Sequence, residues 1–379
     1  MKITNVECLP VQDGRNCVFV VVETDEGLFG VGEAGLTGRA GAISAAVQDY
    51  AARLVGQDPL RIEHHWQTLS RGFFFPHDRI AGSALAAVDI ALWDLMGKAL
   101  GVPVYQLLGG RVRDKVVCYP HTGGRTPEEL VERCLALREE GWKFVRFSPN
   151  TGPDGLFEPG QAARESVPMF EAVRKVLGDS VEICFDIHTR LDPADAIQLC
   201  RAVEPYRPFF MEDPIRSEGS NSFRLLRQHI NVPLAAGEQY CSKWEFRQII
   251  EEDLIDYARV DLCICGGISE SRKVAAMAET HYIKLATHNP LGPVSSAACL
   301  HLNLASSNVG VMEQPQRPGR VMTNVVPQQV EWADGYLLPP TAPGLGIEFD
   351  REAARRLPYQ PGAARRAWLH RADGSFTNW

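Results

Sequence analysis

Six polar residues, each closing a short apolar run, recur between positions 186 and 313 of this 379-residue chain: Asp186, Glu212, Glu238, Asp261, His288 and Glu313. The steps between neighbours range from 23 residues (Glu238 to Asp261) to 27 (Asp261 to His288). A strand, a turn, a helix and a return loop fill about that length, since a (β/α)8 barrel averages roughly 30 residues per unit. Carboxylates and a histidine at successive strand ends converge on one barrel mouth, the face where such barrels do their chemistry.

The remaining pattern divides the chain in three. Residues 1–112 read as an α+β domain: strands near 3–11, 17–24 and 28–33, then helical patterns near 40–55, 59–70 and 80–100. Residues 113–320 read as the barrel, with strands near 116–120, 143–148, 181–188, 208–212, 233–238, 257–261, 283–288 and 309–313. After Glu313 the sequence turns Pro- and Gly-rich with no final barrel helix, so residues 321–379 are expected to return to the first domain.

Charge and cysteine use narrow the partners. Thirty-nine Lys and Arg against 47 Asp and Glu leave a formal charge of −8, which argues against general nucleic-acid binding. An anionic substrate then needs a local cation. No apolar run approaches the roughly 18 residues of a membrane span, and the N-terminus lacks a signal-peptide core of about 7–15 apolar residues. Ten cysteines without a CxxC pair suit buried thiols in a cytoplasmic protein, and Cys263 and Cys265 read as packing residues.

Several motifs carry a family resemblance: SALAAVDIALWDLMGKALGVPVYQLLGG, FDIH, MEDP, PLAAGE, VDLCICGGISE, ATHNPLGPVSSAACLHL and MEQP. In this order, over essentially the whole chain, they resemble the enolase superfamily, mandelate-racemase-like branch, nearest to galactonate-dehydratase-type acid-sugar dehydratases. The resemblance implies a modified TIM barrel, (β/α)7β, beneath an N-terminal α+β capping domain completed by the C-terminal segment. It also implies a homo-oligomer.

Asp186, Glu212 and Glu238 fall on three consecutive strands, which lie about 4.8 Å apart. Such acids repel one another unless a cation holds them. Oxygen donors of this kind suit Mg²⁺, and the resembling family carries its Mg²⁺ ligands at these three positions. Singly, each acid reads as a capping or salt-bridged residue. Asp261 and His288 end adjacent strands, so the carboxylate fixes the imidazole tautomer and raises its basicity. His288 is the expected base for a proton beside a substrate carboxylate. His188 follows Asp186 by two residues, which places both on one face of a strand. The resemblance implies that His188 is the acid for a leaving hydroxyl and that Glu313 bonds the substrate carboxylate or enediolate.

One departure affects the chemistry. Many relatives place a Lys-x-Lys pair on the second barrel strand, where this chain has Arg146 and Ser148. Arginine stays protonated and is a poor base, so lysine-based racemisation and lactonisation are disfavoured. Arg146 and Ser148 are instead candidates for binding substrate oxygens. Over the mouth, segments 35–41 and 71–79 read as specificity loops, the second offering Phe73 to Phe75, His77 and Arg79. The expected function is Mg²⁺-dependent dehydration of a small sugar acid to a 2-keto-3-deoxy acid, with no nucleic-acid or membrane partner. A racemase or epimerase, a lactone cycloisomerase and a catalytically retired binding scaffold are the alternatives.

Overall fold

Along a barrel strand, alternate residues point to the interior and to the surrounding helices. A computed structural model of the chain, describing residues 1–36, 38–359 and 368–378, shows both layers. Tyr119, Phe144, Cys184, Phe210, Ala235, Ala286 and Val311 plug the barrel interior. Their strand neighbours Val145, Ile183, Phe185 and Met211 join the larger core between strands and helices. Phe210 is fully buried, with its ring centroid 5.4 Å from that of Tyr257. Phe210→Ala is expected to lower unfolding stability by about 3–5 kcal/mol, read from the denaturant midpoint.

The capping domain comes first. Strands β1 (Ile3–Gln12), β2 (Asn16–Thr24) and β3 (Phe29–Ala34) form an antiparallel sheet. Helices α1 (Ala40–Leu54), α2 (Ile62–Arg71), α3 (Arg79–Leu100) and α4 (Val104–Leu107) follow. Helix α3 lies directly on β3: a Cβ added at Gly32 would sit 1.8 Å from the Ala87 carbonyl oxygen. With 22 residues, α3 is long and apolar enough to cross a membrane by length and composition, which corrects the expectation that no run comes close. Its most apolar window is 83% buried inside the protein, as a core helix requires.

The barrel strands are β4 (Val116–Tyr119), β5 (Phe144–Phe147), β6 (Glu182–Asp186), β7 (Phe210–Glu212), β8 (Leu234–Ala236), β9 (Tyr257–Ala258), β10 (Lys284–Thr287) and β11 (Val309–Glu313). Helices α5 (Pro127–Glu139), α6 (Pro159–Leu177), α7 (Pro193–Val203), α8 (Ser222–His229), α9 (Lys243–Glu251), α10 (Gly267–Glu279) and α11 (Pro293–Ala305) each follow one strand in turn. The parallel ladder runs β4-β11-β10-β9-β8-β7-β6-β5, and a single bridge between His121 and Arg146 joins its two ends. Among the described residues no helix follows β11 before α12 (Arg351–Arg356), as a (β/α)7β barrel requires.

The C-terminal segment touches both domains. Strands β12 (Trp332–Ala333) and β13 (Tyr336–Leu337) form a hairpin that adds antiparallel to β4. Arg355 of α12 pairs with Glu7 of β1 at 2.6 Å. Residue 370 returns to the insert after β5, where the Phe157 N–H donates to the His370 carbonyl at 2.8 Å. Residue 37 of the first expected specificity loop and residues 360–367 of this segment lie outside the described residues.

Candidate active site

Parallel register brings the polar strand ends together. Asp186 is the ladder partner of Glu212, Glu238 follows β8 by two residues, and Asp261 bridges His288. His288 Nδ1 lies 2.7 Å from Asp261 Oδ2. The carboxylate can only accept, so Nδ1–H donates and Nε2 is left free to take a proton. The other Asp261 oxygen accepts from the Cys263 N–H at 2.7 Å, which fixes the carboxylate. Burial lowers the pKa of His288, but Glu238, Glu313 and Asp261 outweigh it and push it up to about 9.

His188 reaches the same point by another route. It stands beyond the end of β6, not on the strand as its spacing suggests, because His188 and Thr189 both take φ 59°. The turn still delivers the ring inward, with Nδ1 3.0 Å from Asp186 Oδ2 and 3.9 Å from Glu238 Oε1. His288 Nε2 lies 3.4 Å from the other Glu238 oxygen. Two imidazoles therefore flank one carboxylate.

The acids are buried: Asp186 and Glu212 fully, Asp213 and Glu238 nearly so. Carboxylate oxygens of Glu212, Asp213 and Glu238 come within 4.8 Å of one another. This trio differs from the expected Asp186, Glu212 and Glu238. Asp186 turns its carboxylate onto the Arg146 guanidinium and His188. Burial opposes ionisation of Asp186, yet Arg146 and His188 hold it below the usual carboxylate range. Burial pushes Glu212 well above that range despite the pull of Arg259, with Asp186 and Glu238 adding repulsion. Burial and the neighbouring Glu238 do the same to Asp213. Glu212 Oε2, Asp186 Oδ1 and Asp213 Oδ2 are buried without a hydrogen-bond donor, and Glu212 Oε1 and Glu238 Oε2 meet only the ion-pair contacts of Arg259 and His288. Buried carboxyl groups that resist ionisation on their own and leave oxygens without donors in one cluster fit a hard divalent cation such as Mg²⁺, which would favour their charged forms.

Spacing alone did not reveal four members of this site. Asp213 has φ 37°, which swings its carboxylate back to the mouth, although strand alternation would send it outward. Arg259 is fully buried two residues before Asp261, with a terminal nitrogen 2.6 Å from both Glu212 and Glu313. His121, just past β4, places Nε2 2.5 Å from Glu313. The Asn289 N–H donates to Glu313 at 2.9 Å. Burial opposes the charge on Glu313, but Arg259, His288 and His121 hold it well below the carboxylate range. As an ionised acceptor Glu313 would reach a substrate anion only through a bridging donor, and His121 and Arg259 are the side chains already bonded to it.

The weaker substrate candidates are placed as follows. Arg146 faces the mouth but is committed to Asp186. Ser148 borders a narrow cavity behind β5 with Glu165, Met169 and Phe185. Phe74 and Phe75 are 92% and 78% exposed and do not seal the mouth of this chain. His77 contacts Ser70 and the Cys241 carbonyl, and Arg79 donates to the Gln239 carbonyl and Glu245. Both brace the loop that follows Glu238.

Comparison with known proteins identifies the family. Residues 9–109 match the family model "Mandelate racemase / muconate lactonizing enzyme, N-terminal domain", and residues 129–353 match "Enolase C-terminal domain-like". A D-galactonate dehydratase of Ralstonia nicotianae is 40% identical over 370 residues, covering 96% of each chain. A D-mannonate dehydratase of Caulobacter sp. strain K31 is 37% identical, covering 100% of each. The crystal structure of an enolase from Pantoea ananatis with bound D-gluconate and Mg superposes with a TM-score of 0.94 at 33% identity, covering 99% of each chain. Matched in both domains and at full length, with its acids and histidines at the barrel mouth, the chain belongs to the enolase superfamily, in the mandelate racemase / muconate lactonizing enzyme branch.

Proposed function

We propose that this protein is a Mg²⁺-dependent hydro-lyase that converts a sugar acid to its 2-keto-3-deoxy acid. The observation that carries this reading is the pair of imidazoles, His188 and His288, flanking Glu238 above a buried acid cluster. Glu212 and Glu238, with Asp186 or Asp213, would hold the cation. Bound there, Mg²⁺ supplies electrostatic stabilisation of the negative charge that develops on the substrate carboxylate. Glu238 is the largest contributor to the raised basicity of His288, so charge it shares with a cation is withdrawn from the imidazole.

His288 Nε2 takes the C2 proton, and the C–H electron pair moves toward the carboxylate. The pair returns to form the C2–C3 double bond as the C3–O bond breaks. His188 gives its proton to that oxygen, which leaves as water. The enol then tautomerises to the 2-keto-3-deoxy acid. Asp261 orients the base throughout, and Arg259 and His121 keep Glu313 ionised at the edge of the site.

The two steps are separable. His188→Asn is expected to suppress 2-keto-acid formation by about 10²–10⁴-fold, the usual contribution of a general acid, while C2 deuterium exchange falls far less. Unchanged dehydration in this variant would move the acid role elsewhere. The same flanking pair also fits a 1,1-proton transfer, as in a racemase.

The function is tested by incubating aldonic and aldaric acids with enzyme and Mg²⁺ and assaying 2-keto acids. D-galactonate, D-mannonate and D-gluconate come first, since the similar proteins are named for or bind them. Product from at least one acid is expected. Epimerised substrate without keto acid would favour the racemase. We also expect a cytoplasmic homo-oligomer, measurable by fractionation and light scattering.

A further inference from the structure

Helix α11 begins five residues after His288, so its first turn sets where the base-bearing loop ends. Its N-cap position is Gly292, which has no side chain to satisfy the free N–H groups there. A residue from the other domain does so. Glu33 of β3, fully buried, accepts from the Gly292 N–H at 2.7 Å and from the Ser295 N–H at 2.9 Å. The carboxylate occupies the space a side chain would need: a Cβ at Gly292 would lie 2.6 Å from Glu33 Oε1. The near end of the loop is fixed separately, by the His288 N–H on the Val260 carbonyl at 3.1 Å and the Asn289 N–H on Glu313 at 2.9 Å.

The neighbouring unit repeats the device. Helix α10 follows Asp261 and starts after Gly266, again without a side-chain cap. Asp89 of α3 accepts from the Ser269 N–H at 2.9 Å, and a Cβ at Gly267 would lie 2.3 Å from Asp89 Oδ2. Cap-domain carboxylates therefore clamp the two barrel helices behind the Asp261–His288 pair. Asp186 and Glu212 stand on β6 and β7, which share no ladder with β10.

We propose that Glu33 is a positioning residue for the His288 base, acting from the capping domain through the first turn of α11. This rests on the reading of His288 as the base. An anion at a helix N-terminus interacts with several partial positive charges at once. A neutral amide presents an NH₂ group to one of the two donors and cannot accept from both. The loop then relaxes and His288 Nε2 shifts relative to a substrate held by the metal site.

The test is Glu33→Gln, assayed for dehydration, C2 deuterium exchange and binding of Mn²⁺ as a spectroscopic probe, with folding checked by circular dichroism. Dehydration kcat and exchange are expected to fall together by about 10- to 100-fold, the cost of a small misplacement of a reacting group, with KM and Mn²⁺ affinity within about threefold of wild type. Turnover within about twofold of wild type, or a parallel loss of kcat, KM and Mn²⁺ affinity, would reduce Glu33 to a domain fastener and overturn the proposal. His288→Asn run alongside separates the two ideas: if it retains exchange, the base assignment fails whatever Glu33→Gln does. Should Glu33→Gln not fold, Asp89→Asn carries the same comparison on the Asp261 side.

Discussion

Replacing His288 with asparagine is expected to remove C2 proton abstraction while leaving the fold intact. The imidazole is the group whose tautomer is fixed by Asp261 at 2.7 Å and whose free nitrogen faces the acid cluster. Asparagine keeps a polar amide near Asp261 but has no basic nitrogen. A positioned general base contributes about 10²–10⁴-fold, so exchange of the C2 proton with deuterated water should fall by at least that lower figure. Asp261→Asn should cost less, about 10–100-fold, because it removes orientation and basicity but leaves the imidazole. Near-full exchange by His288→Asn would assign the base to His188 or to another group.

The second large effect concerns the cation. Glu212 is fully buried beside Asp213 and Glu238, with one oxygen against Arg259 and the other without a donor. A ligand present at a hundredfold over its Kd stabilises the folded state by about 2.7 kcal/mol. Wild-type protein should therefore show a Mg²⁺-dependent rise in thermal midpoint, and Glu212→Gln should lose both that rise and activity. Comparing Asp186→Asn with Asp213→Asn then decides which acid joins Glu212 and Glu238. The one whose loss abolishes the Mg²⁺ response is the ligand. A full response in Glu212→Gln would move the metal away from this cluster.

The barrel was legible in the sequence because its unit length and its apolar strands are local signals. Strand ends fell within a few residues of the predicted runs, and the positions of His188, His288 and most of the acids followed from them. What was missed depends on backbone turns and long-range contacts. Asp213 faces the mouth only because a positive φ angle rotates it there, and His188, expected at the mouth, reaches it through a turn and not along the strand. Arg259 lies on the inward face beneath Asp261, a position alternation permits, but its three carboxylate neighbours come from strands 21 to 54 residues away. The β12–β13 hairpin carried the Asp334-Gly335 turn signal, yet its two-residue strands are too short for periodicity to register. The Glu33 contact to Ser295 spans 262 residues, beyond any local pattern.

The central claim is that His288 and a cation together remove the C2 proton and that water then leaves from C3. Its most direct test is the turnover of an accepted sugar acid in deuterated water, followed by proton NMR. With Mg²⁺, the product should be a 2-keto-3-deoxy acid carrying one solvent deuteron at C3, delivered when the enol tautomerises. Chelator or His288→Asn should leave the substrate unchanged. Keto acid formed at the wild-type rate under either condition, or substrate recovered deuterated and epimerised at C2 with no keto acid, would contradict the account.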